Sequence, residues 1–363
     1  MNITAQMVKE LRETTGAGMM DCKKALVECD GDMAKAVDYL KEKGIAKAAK
    51  KADRIAAEGL VRIALADDQK TAALVEVNSE TDFVAKNPEF VAFVEDMAKM
   101  ALTAESNDME KFMAMSYDGK TVNDALTAKI AKIGEKLSLR RIDKVSGEVL
   151  ATYIHGGGRI GVVVVGKGDA SDAAKVALTN VAMQVAAMNP QYVSRNDITA
   201  EELEKLKNIT VESSLNDPFN LPKPILNELL DKAVNGVWSK EDVAILEEKR
   251  ADKKFNFNFI TNFISDEAKA KLAELSLANR EATVANKMFA GAIEGRVSKQ
   301  LKEICLLDQT YVKAEDGKQT VSQYLASVNK DLAIAKVVRF EVGEGIEKRE
   351  ENFAEEVAKQ MQG

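Results

Sequence analysis

The chain contains a single histidine, His155, and it opens a run of three glycines, Gly156–Gly158. An HGGG loop of this kind forms part of the oxyanion hole of esterases, but only together with a G-x-S-x-G nucleophile elbow and a separate triad histidine. The sequence has neither, so catalytic arrangements that need a histidine are excluded. We interpret the run as a tight hairpin in which glycine permits positive φ.

The glycines of the longer stretch at 155–168, HGGGRIGVVVVGKG, could also suggest a phosphate-binding loop. Such a loop follows a strand and opens a helix. Here the triple glycine lies between two predicted strands, and the Gly-Lys-Gly at 166–168 lacks the Ser or Thr of a P-loop. We therefore do not expect the chain itself to bind a nucleotide.

Three cysteines are present, Cys22, Cys29 and Cys305, and no pair has C-x-x-C spacing. Together with one histidine they do not form a zinc ligand set. We expect buried structural thiols, no metal site and no cofactor.

The loop Ser79–Val84 (SETDFV) carries an aspartate beside an aromatic residue at the end of a predicted strand, a position where loops usually carry function. In one interpretation, Thr81 or Ser79 caps a short turn and Phe83 folds back into the core. In the other, Asp82 and Phe83 form a functional surface. The residues by themselves leave both interpretations open.

Residues 1–50 predict three short helices, the first over about Thr4–Glu13 and the second over Met19–Glu28. The third is capped by Asp32 and is expected to end at Gly44. The basic stretch Lys41–Arg54 is interpreted as a solvated helix or linker, with RNA contact as the alternative. A net charge of −7 argues against a protein whose main partner is nucleic acid.

Strands follow, and the same plan occurs twice. Alternating residues predict a strand, a turn, a second strand and a helix in each copy. We predict an α+β fold built from two related ββα units. In the first copy, the predicted strands are Gly59–Leu65 and Thr71–Val77, and Asn87-Pro88 opens the helix. In the second copy, the predicted strands are Glu148–Ile154 and Arg159–Val165, and the helix covers Asp172–Met188.

The remainder is predicted to be largely helical, at about 197–214 and 267–303. Residues 216–263 hold three of the five prolines, five of the twelve phenylalanines and the only tryptophan. We interpret this segment as an added module with its own small core. A strand, Ala335–Val342, and an amphipathic helix to about Met361 close the chain.

No apolar run approaches the roughly 20 residues that span a bilayer. The N-terminal residues are charged where a signal peptide would be apolar. We expect a cytoplasmic protein with no membrane partner.

Six stretches occur in the order found in a known family, and together they cover roughly residues 1–210 and 284–363. Through them the chain closely resembles the elongation factor Ts family. They are Val8–Ala25, Asn78–Lys86, Tyr153–Val163, Met183–Asn196, Glu303–Gln309 and Val338–Lys348.

The resemblance implies an N-terminal module like a ubiquitin-associated domain, two core subdomains, a helical protrusion and a C-terminal helix. Residues 1–50 would form the three-helix docking domain and residues 51–145 the first core subdomain. The second core subdomain would have two parts, 146–200 and 303–346. Residues 201–302, between these parts, would form the protrusion, and residues 347–363 the C-terminal helix. The family usually has a short hairpin tip where this chain has residues 216–283, so we expect this chain to depart from the family there.

The resemblance further implies a guanine-nucleotide exchange factor that binds GDP-bound elongation factor Tu, dislodges Mg²⁺ and releases GDP. The inserted motif would be Thr81, Asp82, Phe83 and Val84, and His155 matches a hairpin histidine that would contact the partner. The N-terminal module and the C-terminal helix would grip the nucleotide domain of the GTPase. No substrate bond changes, so no catalytic centre is expected, and no direct contact with nucleic acid is expected either.

Two other functions remain open at this stage. The chain could bind a GTPase passively, as a chaperone or assembly subunit, or it could be an RNA-binding translation protein through Lys41–Arg54. Self-association is left undecided.

Overall fold

Helices and small antiparallel sheets build the chain, which confirms the predicted α+β class. The computed structural model describes residues 3–15 and 17–347. The chain divides into two units, one made of Met1–Asn189 with Ser322–Gly363 and the other of Pro190–Val321.

Three helices open the first unit, α1 (Ala5–Thr15), α2 (Met19–Glu28) and α3 (Met33–Ala49). The bounds of the second match the prediction, and Asp32 caps the third by accepting a hydrogen bond from the Lys35 amide over 3.1 Å. Apolar side chains at helical spacing meet in a small core made of Val8, Leu11, Cys22, Ala25, Leu26 and Ala36.

The third helix does not end at Gly44, so that prediction was wrong. Gly44 is buried inside the helix, and a Cβ at this position would lie 3.7 Å from the Cβ of Ala131. Glycine costs a helix interior only about 1 kcal/mol, and the alanines that follow favour helix. As a result, most of the basic stretch Lys41–Arg54, up to Ala49, is helical rather than a linker.

The first sheet and its helices follow in chain order as β1 (Glu58–Leu65), β2 (Thr71–Ser79), α4 (Asp82–Ala85), α5 (Pro88–Thr103), α6 (Met109–Ala114), the two-residue strands β3 (Ser116–Tyr117) and β4 (Lys120–Thr121), α7 (Val122–Ile133) and β5 (Leu137–Ser146). The three long strands pair antiparallel in the order β1-β2-β5. Asn87 caps α5 and Pro88 is its first residue, as predicted.

Strand β5 is not predicted by the sequence pattern. A bulge interrupts its pairing with β2, because Glu76 lies opposite Arg141 while Val77 lies opposite Leu139. The extra residue, Arg140, breaks the alternation of apolar and polar residues by which a strand is recognised.

The second sheet consists of β6 (Val149–His155), β7 (Ile160–Lys167) and β8 (Ala333–Glu341), paired antiparallel in that order. The triple glycine forms the β6–β7 turn with positive φ at all three residues, which confirms the predicted hairpin. Helix α8 (Asp172–Met188) packs against β6 and β7.

The two sheets of the first unit pack against each other. Strand β2 is buried on both faces: Ala73, Val75 and Val77 join a core with α5 and α7, while Ala72 and Leu74 join a core with the second sheet. The end of β2 is therefore held on both sides, and the loop that follows it starts from a rigid point.

The second unit is helical, with α9 (Ala200–Asn216), α10 (Lys223–Val234), α11 (Lys240–Ala251), α12 (Asp266–Ala278), α13 (Arg280–Val284) and α14 (Lys287–Ile304). The region predicted to be helical over 267–303 consists of three helices, because Asn279 and Asn286 precede new starts and Asn286 caps α14. Short asparagine side chains compete with the helical backbone for hydrogen bonds.

The segment at 216–263 does not have a core of its own. Its buried residues share one apolar cluster with Leu215 of α9, Leu272 of α12 and Phe289 and Ile293 of α14. The prediction of a separate core was wrong because the apolar residues of this segment pack together with those of α9, α12 and α14.

Cys22 and Cys305 are buried and Cys29 is partly exposed. Burial raises the pKa of the Cys22 thiol and that of the Cys305 thiol.

Helix α15 (Val321–Val328) leads into β8. The predicted C-terminal helix, apart from Glu347, lies outside the described residues.

Candidate functional site

The four residues singled out by sequence, Thr81–Val84, begin two residues after β2 and form the start of the short helix α4. Thr81 is the N-cap, and its Oγ1 accepts a hydrogen bond from the Val84 amide over 3.4 Å. Ser79 Oγ donates to the Thr81 carbonyl over 3.0 Å. The capping interpretation of this turn is therefore correct for Thr81.

Phe83 does not fold back into the core. Its exposed fraction is 81%, whereas Val84, the next residue, is 8% exposed and packs in the core beneath the first sheet. Apolar rings are usually buried because each removes a large apolar surface from water. The ring is held out on a helix that its neighbour anchors, so it is accessible to another molecule.

Asp82 lies beside the ring and pairs with Lys86 one turn later, with 2.6 Å between Oδ2 and Nζ. The hydrogen bond from Lys86 lowers the pKa of the Asp82 carboxyl, so this group is ionised at neutral pH. The motif thus presents an aromatic ring next to a negative charge.

Hydrogen bonds to neighbouring loops hold the motif in place. Both oxygens of Glu135, in the loop between α7 and β5, accept hydrogen bonds from Thr81. Glu80 accepts hydrogen bonds from the Lys136 amide and the Arg54 guanidinium. Sequence reasoning missed Glu135, since no local pattern relates residues 54 positions apart.

His155 ends β6 at the glycine hairpin, with its side chain exposed. Its Nδ1 lies 3.1 Å from the hydroxyl of Tyr153, and its carbonyl accepts hydrogen bonds from the Gly158 and Arg159 amides. The ring is thus placed on a rigid turn.

The hairpin and the motif lie at the same end of the first sheet. Arg159, the residue after the triple glycine, donates to Glu58 over 3.0 Å, and Glu58 pairs with Ser79 across β1 and β2. In addition, the Gly158 carbonyl accepts from the Val61 amide over 2.7 Å. The tertiary structure therefore joins two loops that lie more than 70 positions apart in the chain.

Within residues 3–15 and 17–347, no group of three or more His, Cys, Asp or Glu side chains could hold a metal ion. Over the same ranges, every helix is too short or too polar to cross a bilayer.

Comparison with known proteins decides the family. A family model described as Elongation factor TS matches residues 80–249 and 257–344. The chain belongs to the elongation factor Ts family. Among similar proteins, the elongation factor Ts of Clostridioides difficile (strain 630) is 46% identical over 366 residues, covering 99% of each chain. That of Clostridium novyi (strain NT) is 41% identical over 367 residues, again covering 99% of each.

The same comparisons show how two relatives correspond to this chain at residues 216–283. The match to the elongation factor Ts family runs through most of this segment, and two relatives align with this chain over 99% of their own length. These relatives therefore contain a segment of comparable length, and the chain does not depart from them there.

Proposed function

We propose that this chain is a guanine-nucleotide exchange factor of protein synthesis that binds elongation factor Tu in its GDP state, dislodges Mg²⁺ and promotes GDP release. Family membership supports the exchange role. The observation that carries the mechanism is the exposed ring of Phe83 on an anchored helix. In this role the chain acts in the cytoplasm, where translation takes place.

The proposed mechanism needs no catalytic group on the chain. Mg²⁺ bridges the phosphates of a bound nucleotide and requires near-ideal octahedral geometry, so a small displacement of its ligands weakens its binding. Phe83 is the wedge that enters the GTPase, and the carboxylate of Asp82 adds a charge beside it. Thr81 and Val84 hold the wedge in place, one as cap and the other as anchor.

Release by such a wedge is a coupling between two binding equilibria. The factor lowers the affinity of the GTPase for nucleotide, and nucleotide lowers its affinity for the factor by the same free energy. Incoming GTP can therefore displace the factor and complete the cycle. His155, on the neighbouring hairpin, is proposed as an additional contact with the partner, at the same end of the sheet as Phe83.

A nucleotide-release experiment tests the proposal. Elongation factor Tu loaded with a fluorescent GDP is mixed with excess unlabelled GDP, with and without the chain. We expect the chain to accelerate release at catalytic concentrations, and we expect a smaller acceleration when a chelator has already removed Mg²⁺.

Two outcomes would contradict the proposal. A stable complex without acceleration would support a passive GTPase-binding protein. An equal acceleration with and without Mg²⁺ would show that the chain releases GDP without acting on the metal.

A further inference from the structure

Glu135 attaches to Thr81 at two points. Its Oε2 accepts a hydrogen bond from the Thr81 amide over 3.0 Å, and its Oε1 accepts one from the Thr81 hydroxyl over 2.6 Å. Hydrogen bonds to an ionised carboxylate are stronger than those between neutral groups. This one side chain therefore fixes both the backbone and the hydroxyl of the residue that begins α4.

The orientation of that hydroxyl matters for the helix that carries Phe83. Because Thr81 donates its only hydroxyl hydrogen to Glu135, its oxygen lone pairs are directed to the Val84 amide, the capping contact. A helix of four residues is too short to be stable by itself. Helix α4 therefore depends on its cap and on Val84, since the exposed ring of Phe83 adds little packing.

The loop that supports Glu135 is itself held on two sides. The Gly134 carbonyl accepts a hydrogen bond from Lys51 Nζ over 2.6 Å, and Lys136 Nζ donates to the Arg54 carbonyl over 2.8 Å. The Lys136 amide donates to Glu80, which precedes the motif. Glu135 is thus placed by a braced loop, and it transmits that rigidity to Thr81.

We propose that Glu135 is a positioning residue for nucleotide exchange, acting through Thr81 to keep α4 ordered so that Phe83 meets the GTPase already in its docking orientation. A loop that is ordered before binding avoids the entropic cost of ordering it on binding. This inference rests on the proposed function.

The first test needs no GTPase. Amide hydrogen exchange of the full chain, read by mass spectrometry over residues 81–86, compares wild type with Glu135→Ala and Glu135→Gln. We expect exchange in this segment to be faster by about tenfold in Glu135→Ala, since loss of a charge-assisted hydrogen bond lowers local stability. Glu135→Gln retains one acceptor oxygen and should give an intermediate rate.

The control is Glu148→Ala. Glu148 also braces a turn, accepting a hydrogen bond from the Gly168 amide over 2.8 Å, but it does so at the second sheet. It should leave residues 81–86 unchanged. If Glu135→Ala also leaves them unchanged, the inference is wrong whatever the partner of the chain is.

The second test measures GDP release from elongation factor Tu. We expect Glu135→Ala to lower kcat/KM for release by about tenfold, with Glu135→Gln intermediate and Glu148→Ala near wild type. In a Phe83→Ala background, Glu135→Ala should have a much smaller effect, because the ring that it positions is gone and only the weaker contribution of Asp82 remains.

The two tests separate the possible failures. An undiminished effect of Glu135→Ala in the Phe83→Ala background would overturn the inference, because Glu135 would then act by another route. If wild type fails to accelerate release, the proposed function and the role of Glu135 in exchange both fail. Hydrogen exchange still decides separately whether Glu135 orders the loop.

Discussion

Phe83 and Val84 are adjacent in the chain and have opposite environments: the ring of Phe83 is 81% exposed, and the side chain of Val84 is 8% exposed. Helix α4 thus separates a residue available to a partner from a residue that holds the helix on the core. A substitution at Phe83 can therefore change function with little change in stability.

We expect Phe83→Ala to melt within a degree or two of wild type, because an exposed ring contributes little to the free energy of unfolding. Its acceleration of GDP release should fall by an order of magnitude or more, as for a hot-spot aromatic residue. The control Val84→Ala should instead lower the free energy of unfolding by about 2 kcal/mol. Thermal melting and GDP release measured on the same samples decide. A large drop in melting temperature for Phe83→Ala with normal exchange would show that the ring packs in the core.

Asp82→Ala should slow GDP release less than Phe83→Ala, because a single exposed carboxylate contributes less than a desolvated ring. Lys86→Ala serves as the control, since it removes the partner of Asp82 in the 2.6 Å ion pair and leaves the carboxylate in place. An exposed pair of this kind contributes little to the stability of a helix, so both variants should melt like wild type. Equal slowing by both variants would mean that Asp82 acts only by stabilising α4.

Glu76 is fully buried on β2 and accepts hydrogen bonds from Arg140, Arg141 and the Gly343 amide. Glu76→Ala leaves these donors without their acceptor, and we expect the free energy of unfolding to fall by about 3 kcal/mol.

The control is Asp143→Asn, which weakens a more exposed pair with Lys336 on β8 and should change stability by less than about 1 kcal/mol. Urea denaturation followed by far-ultraviolet circular dichroism measures both. Wild-type stability in Glu76→Ala would mean that the cost of burying the carboxylate cancels its hydrogen bonds.

Residues 216–283 share one core with α9 and α14. We therefore expect a residue outside this segment to stabilise residues inside the segment. Phe289→Ala should lower the free energy of unfolding of this unit by about 3–5 kcal/mol, because Phe289 is buried in the cluster against which Trp238 packs. Urea denaturation followed by Trp238 fluorescence measures this change.

Met288→Ala changes the neighbouring residue, which is 51% exposed, and should leave the transition nearly unchanged. Since Trp238 is the only tryptophan of the chain, its fluorescence reports this unit alone. An unshifted transition in Phe289→Ala would show that the segment has a separate core after all.

Local patterns in the sequence determined several elements before any coordinates were known. Asn87-Pro88 at the start of α5, Asp32 as a cap and the triple glycine of the hairpin are all confirmed. Each depends on hydrogen bonds or φ values within about four residues, so a few neighbouring residues are sufficient to specify it. The motif Thr81–Val84 was likewise recognised from nearby residues, but the burial of its side chains was not.

Tertiary structure alone decided the rest. Whether Phe83 is core or surface depends on where the chain returns beside it, and the bond from Thr81 to Glu135 joins residues 54 positions apart. Strand β5 pairs with β2, and its arginines bond to the buried Glu76 of that strand. Helix α3 continues through Gly44 and packs against α7. Contacts of this kind depend on burial and on which distant groups meet, and no pattern of adjacent residues encodes that choice.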